Sequence, residues 1–177
     1  MTECGDDCKG ECSGEVTGFC TCPHSPKIMV ISGGQTGVDR AALEAAKESG
    51  IKTGGYAPSG YLTENGRDRS LRDFGLIDSG AGYPTRTALN VLNSDVTLWI
   101  GKGDTPGFLA TKKKCKQYDK RFIDVTGESA YGVRCAMGSY KIINFAGNRE
   151  STSPGIFAET KALLLGTFQM VNNEDNV

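Results

Sequence analysis

Ile28-Met29-Val30-Ile31 runs directly into Ser32-Gly33-Gly34-Gln35-Thr36-Gly37-Val38-Asp39-Arg40, and then into Ala41-Ala42-Leu43-Glu44-Ala45-Ala46-Lys47-Glu48-Ser49-Gly50. A short unbroken apolar run is the pattern of a strand buried on both faces. The alanine-rich stretch after the glycines reads as a helix stopped by Gly50. Strand, glycine loop and helix in that order open a βαβ unit.

Outward from this point the pattern repeats. Residues 51–56 predict a second strand, 85–93 a helix, and Val96-Thr97-Leu98-Trp99-Ile100 a further strand. A basic helix is expected over 108–118, with strands at 121–125 and 140–145. Ser153-Pro154 looks like a cap followed by a first-turn proline, opening a last helix with Phe157, Leu164 and Phe168 on one face. Residues 60–84 read as one long polar loop. Alternation of this kind gives an α/β, Rossmann-like, doubly wound and mainly parallel sheet with helices on both faces. The expected division is an acidic cysteine-rich head over 1–26, a ligand-binding domain over 27–170 and a tail over 171–177.

Composition narrows the function. The chain has 177 residues and 24 glycines, about twice the usual share, with no three-residue period that would indicate collagen. No apolar run approaches the roughly 20 residues that cross a bilayer, and Met1 is followed by acids and cysteines rather than a signal sequence. A soluble cytoplasmic protein is expected, with no membrane partner. Residues 1–26 carry five acids against one base, and the rest 16 acids against 19 bases. That body suits an anionic small molecule but is too weakly basic for nucleic acid. The one basic block, Lys112-Lys113-Lys114 with Lys116, reads as a solvated helix face.

Three glycine-bearing turns follow strands, at 32–40, 101–107 and 146–151, and in a parallel sheet all three gather at the ligand-binding edge. Gly33, Gly34 and Gly37 offer backbone N–H groups at a helix start, and Gln35 and Thr36 add side-chain donors. The alternative reading of the same loop is a tight strand-to-helix turn. It lacks the lysine of a Walker loop and the first glycine of the dinucleotide fingerprint. Arg86 suits an anion clamp or a surface salt bridge. Asp39, Glu64, Asp95, Asp124 and Glu150 are the carboxylates expected near the rim, and Trp99 reads as core. The head holds Cys4, Cys8, Cys12, Cys20, Cys22 and His24, a set able to supply four zinc ligands, with a flexible acidic tail carrying free thiols, or disulfides where the compartment allows them, as the alternative. Because His24 is the only histidine, no Ser-His-Asp or Cys-His machinery is available to the domain.

The segment from Ser32 to Leu43 resembles the opening signature of the putative molybdenum carrier family. Gly54-Gly55-Tyr56-Ala57-Pro58 with Gly60, the stretch from Tyr83 to Asp95 with Arg86, Thr87 and Asn90, and Ala146 to Ser151 followed by Pro154-Gly155-Ile156 agree in order. The likeness covers about residues 27–170. It implies a Rossmann-like homo-oligomer, akin to lysine-decarboxylase-like phosphoribohydrolases and nucleotide-signal sensors, that carries molybdenum cofactor, molybdate or a nucleotide. The implied pocket takes in Gly33, Gly34, Gln35, Thr36, Gly37, Asp39, Arg40, Arg86, Thr87, Asn90, Thr105, Gly107 and Thr111. Pro106-Gly107-Phe108-Leu109-Ala110-Thr111 lacks the glycine pattern and glutamate of the hydrolase branch, which favours binding over turnover. The alternative is a nucleotide-processing enzyme or a nucleotide-signal binding protein.

Overall fold

The computed structural model describes residues 28–174. In chain order the elements are β1 (Met29–Ile31), α1 (Val38–Glu48), β2 (Lys52–Ala57), β3 (Leu62–Thr63), β4 (Gly66–Arg67), β5 (Leu76–Asp78), α2 (Tyr83–Leu92), β6 (Val96–Ile100), α3 (Pro106–Gln117), β7 (Arg121–Asp124), α4 (Ala130–Met137), β8 (Ile142–Gly147) and α5 (Ile156–Glu174). Six strands form one sheet in the order β5-β2-β1-β8-β6-β7. Every pairing in it is parallel. β3 and β4 make a separate antiparallel hairpin.

The order is unusual in one respect. From β8 outward the strands follow chain order on both sides, β1, β2, β5 on one and β6, β7 on the other. The sheet is therefore an ordinary doubly wound one whose central strand has been moved to the end of the chain.

Alternation along the strands sends side chains to two layers. Val96, Leu98 and Ile100 of β6 join Ile143 and Phe145 of β8 under α1, α4 and α5, in the largest core cluster. Ala42, Ala45 and Ala46 in that cluster let α1 approach α5, which contributes Ile156, Leu164, Phe168 and Val171. On the other face, Trp99 packs edge-on against Phe108 of α3 at 5.4 Å, with Ala146 and Phe122 beside them. Asn144 and Thr97 fill the space between, Asn144 Nδ2 donating to Thr97 Oγ1 at 3.1 Å.

Several expectations change. Residues 60–84 are not a plain loop but hold the hairpin, two 3₁₀ turns (Ser59–Tyr61 and Arg69–Phe74) and strand β5. A third cluster explains this segment, since Tyr61, Leu71, Phe74 and Leu76 close over Leu43 and Ala57. Helix α4 is an additional element, capped by Ser129, whose side chain accepts from Gly132 N. The Ser153-Pro154 cap does not form, because α5 begins at Ile156 and Glu150 accepts from Gly155 N at 2.5 Å and Phe157 N at 3.0 Å. α5 also extends to Glu174, past the expected boundary at 170, and Val171 is buried. Phe157 falls outside its buried face. Among the described residues no helix is long and apolar enough to cross a membrane.

Candidate functional site

The loops after β1, β8 and β6 lie side by side at the carboxyl edge of the sheet. α1 and α5 leave toward one face and α3 toward the other, so the winding reverses between β8 and β6. In open parallel sheets that reversal opens a crevice. A cavity of about 300 Å³ sits there, floored by Trp99, Ala146 and Gly147 and walled by Tyr83, Pro84, Thr87, Gly107, Ala110 and Thr111. A second of about 310 Å³ shares Trp99, Gly107, Gly147 and Arg149, and continues past Thr105, Asn148, Ser151 and Thr152. Together they make one cleft.

Charge in the first cavity is one-sided. Arg86, Lys113, Lys114 and Arg149 line it against a single carboxylate, Asp39. Asp39 is 3% exposed and accepts from Arg86 Nη1 and from Gln35 N, each at 3.3 Å. Burial pushes its carboxyl above the ordinary value, with Arg86, the Gln35 N–H and Arg149 pulling the other way. Arg86 lies over Gly33 so closely that a Cβ there would be 1.9 Å from Nη1. The Tyr83 ring is flanked by two guanidinium carbons, Arg149 at 5.1 Å and Arg86 at 5.8 Å from its centroid. Two donors in this constellation are buried without a partner, Arg86 Nε and Gln35 Nε2. Unpartnered buried donors are uncommon, and an acceptor is what they lack.

The structure sorts the expected site residues into groups. Gln35, Asp39, Arg86, Thr87, Gly107 and Thr111 line the first cavity, and Thr105 the second, where it also caps α3 by accepting from Phe108 N. Gly34, Thr36 and Arg40 line a different hollow of about 220 Å³ beneath the β3–β4 hairpin, which Gln35 also touches. Arg40 is engaged there by Glu44 and Asp68. Asn90 is structural, its amide bonding both the N–H and the carbonyl of Tyr56.

Part of the glycine loop is tied down by protein. Thr36 N donates to Gln35 Oε1 and Val38 N to the Asn148 carbonyl. A Cβ at Gly34 (φ 71°) would meet Leu71 and Leu76, and one at Gly37 (φ 74°) would meet the backbone of Asn148 and Glu150. These two glycines serve close packing of protein on protein. Asp95 is not at the rim, since it receives the N–H groups of Lys141 and Ile142 at the start of β8.

Sequence reasoning missed Tyr83, Lys113, Lys114 and Arg149. The lysines were expected to be solvated, and Trp99 to be core. Trp99 is 1% exposed and still forms part of the cleft floor. Cys4, Cys8, Cys12, Cys20, Cys22 and His24 lie outside the described residues. Among the described residues no group of three or more His, Cys, Asp or Glu side chains is placed to hold a metal ion. Cys115 is buried and Cys135 exposed, both as free thiols.

Comparison with known proteins agrees with this architecture. No curated protein matches the chain. A putative molybdenum carrier protein of known structure from Syntrophus aciditrophicus is 35% identical, with a TM-score of 0.71 over 81% of this chain and 96% of that one. That likeness bears out the resemblance carried by the four sequence motifs. The model of the circularly permutated YpsA SLOG family matches residues 30–168, and a permuted chain is what the displaced central strand describes. On its sequence, its strand order and its structural neighbour, the chain belongs to the circularly permutated YpsA SLOG family.

Proposed function

We infer that the protein is a carrier or binding protein for an organic anion held in the cleft between the β6 and β8 loops. The carrying observation is the lining of the first cavity, four cations against one buried carboxyl, with two buried donors lacking acceptors. The name of the structural neighbour points to a molybdenum-related ligand. Within that range the lining favours molybdenum cofactor or a nucleotide over bare molybdate. A hydrated tetrahedral dianion gains nothing from Trp99, Pro84, Ala110 and Ala146, whereas a flat ring with an anionic tail uses both walls. Arg86, Arg149, Lys113 and Lys114 would hold the anionic tail. A bound cofactor would bring its own metal, as the described residues supply no ligand cluster for one.

The chain's single tryptophan makes the test direct, because Trp99 floors the cleft. Titration with guanosine monophosphate, inorganic phosphate and molybdate is expected to change its fluorescence most strongly for the nucleotide. Arg86→Ala should abolish the change. Saturable binding of molybdate alone would remove the organic part of the reading. Native mass spectrometry of the purified full chain would show a carried ligand.

A second reading is an enzyme acting on a nucleotide N-glycosidic or phosphate bond. It is favoured by Asp39, a buried carboxyl with a raised pKa beside Arg86 on the cavity wall, where a proton donor would stand. Release of free base from nucleoside monophosphates, lost in Asp39→Asn, would establish it.

A further inference from the structure

The tip of the β3–β4 hairpin reaches across to the two loops that edge the cleft. Glu64 Oε1 accepts from the Thr36 hydroxyl of the glycine loop and from Ser151 N at 3.3 Å, and Oε2 accepts from the Ser151 hydroxyl. Arg149, one residue before Glu150 in the same loop, adds its charge. Partial burial works to raise the Glu64 carboxyl, but the Ser151 and Thr36 donors and Arg149 outweigh it and hold the group below its ordinary value. Two hydroxyls and a backbone N–H, with a guanidinium charge close by, are what a phosphoryl group also takes.

Three features separate this contact from a structural cap. Glu150, in the β8–α5 loop itself, does the local capping of α5. Glu64 comes instead from 87 residues away, on a hairpin that pairs with no strand of the main sheet. Ser151 and Arg149 line the second cavity of the cleft and Thr36 the hollow beneath the hairpin, so on its Ser151 side the cradle opens onto space a ligand would enter. Glu64 is half-buried, and returning its side chain to water costs little.

We propose that Thr36, Ser151 and Arg149 form a second oxyanion subsite at the end of the cleft, which the Glu64 carboxylate occupies in the free protein and a phosphoryl group takes over on binding. Displacement frees the hairpin tip, whose remaining tie to the glycine loop is the bond from Glu64 N to Gln35 Oε1 at 2.8 Å. Occupancy of the cleft is thereby reported on the surface as a loosened 62–67 segment. The proposal rests on the anion-binding reading above.

Amide hydrogen exchange of the full chain, with and without inorganic phosphate, reads both levels. Phosphate is expected to speed exchange across residues 62–67 while leaving β1 and β8 protected. Glu64→Gln should exchange fast there already and bind phosphate roughly three- to tenfold more tightly, through loss of a competing charge. Ser151→Ala should weaken phosphate by a similar factor, and Glu64→Asp should behave between wild type and Glu64→Gln. Phosphate binding that depends on Arg86 but leaves 62–67 exchange and the Ser151→Ala affinity unchanged overturns the subsite and keeps the parent reading. Absence of phosphate binding in wild type and in a folded Glu64→Gln variant overturns the subsite, and absence of guanosine monophosphate binding as well overturns the parent reading.

Discussion

Gly33→Ala tests the centre of the cleft with a single methyl group. Gly33 has no positive φ, so the substitution adds no backbone strain. The added Cβ would lie 1.9 Å from Arg86 Nη1, 2.4 Å from Cζ and 2.7 Å from Nε. All three atoms belong to the far end of a flexible side chain, so the guanidinium yields and the fold survives. Recovering ordinary contact at 3.4 Å means a lift of about 1.5 Å. The Arg86–Asp39 contact is already 3.3 Å long and does not outlast that movement. Separating partners that are 13% and 5% exposed leaves a buried carboxyl without its counter-charge. Protonation of Asp39 limits the damage, so we expect a loss of about 1–3 kcal/mol at neutral pH rather than the full cost of an orphaned ion. In a domain of this size that lowers the Tm by roughly 3–9 °C.

The pH dependence makes the reasoning refutable. Asp39 titrates above its ordinary value in the folded protein, and removing the Arg86 charge moves it higher still. A carboxyl raised in the folded state favours folding at low pH, and that contribution is lost as pH rises through the folded pKa. The variant's extra deficit therefore grows between the two folded values, is complete above the higher one, and fades on acidification below the wild-type value. Denaturation at several pH values measures this. Phosphate affinity, followed by Trp99 fluorescence, should fall about tenfold or more. A deficit independent of pH, or an unchanged affinity, would refute the Arg86–Asp39 account.

Other outcomes follow from the same geometry. Gly34→Val should destabilise by about 2 kcal/mol or more, through its positive φ and its clash with Leu71 and Leu76, in phosphate-free buffer as much as with ligand, as calorimetric melting will show. Arg40→Ala should leave phosphate affinity within about twofold, because its guanidinium faces Glu44 and Asp68 and lies outside the cleft. Deleting residues 1–26 should remove any zinc that the full chain takes up while leaving the domain folded, since β1 starts at Met29, and elemental analysis with circular dichroism decides it. Light scattering at micromolar concentration should give an oligomer. The surplus apolar surface lies at Ile77 (57% exposed), Leu109 (58%) and Tyr131 (69%), whereas the buried residues of α5 pack into the main core.

The strands buried on both sides were legible because nothing but a continuous apolar run fits them, and Val96–Ile100 was read to the residue. β5 escaped because it is three residues long at a sheet edge, with only Leu76 buried and Ile77 and Asp78 facing out. α4 escaped because eight residues interrupted by Gly132 carry little helical signal. At the site, Arg86 was legible from its place at a helix start, but its partners were not. Arg149 lies in the 146–151 turn that the sequence singled out, but nothing in that turn tells that its guanidinium meets the Tyr83 ring, and Lys113 and Lys114 look like any solvated pair until α3 is laid beside α2. The glycine loop was legible as a loop but open in purpose between anion site and tight turn, and at Gly34 and Gly37 the space a side chain would take is filled by neighbouring protein.

The position of β8 also dictates when the protein can work. Among the described residues β8 is the only strand that joins β1 to β6, and it follows every other strand there. A nascent polypeptide that has emerged only through α4 holds two unconnected half-sheets, β5-β2-β1 and β6-β7, with an open edge on each. Their union waits for the last strand to slide between them, a closure across long sequence separation of the kind that is slow. The cleft draws on the loops after β1, β6 and β8, so it comes into being in that final insertion and at no earlier stage. A ligand present during synthesis would accordingly select finished molecules, and a ribosome-stalled or truncated chain would have nothing with which to hold it.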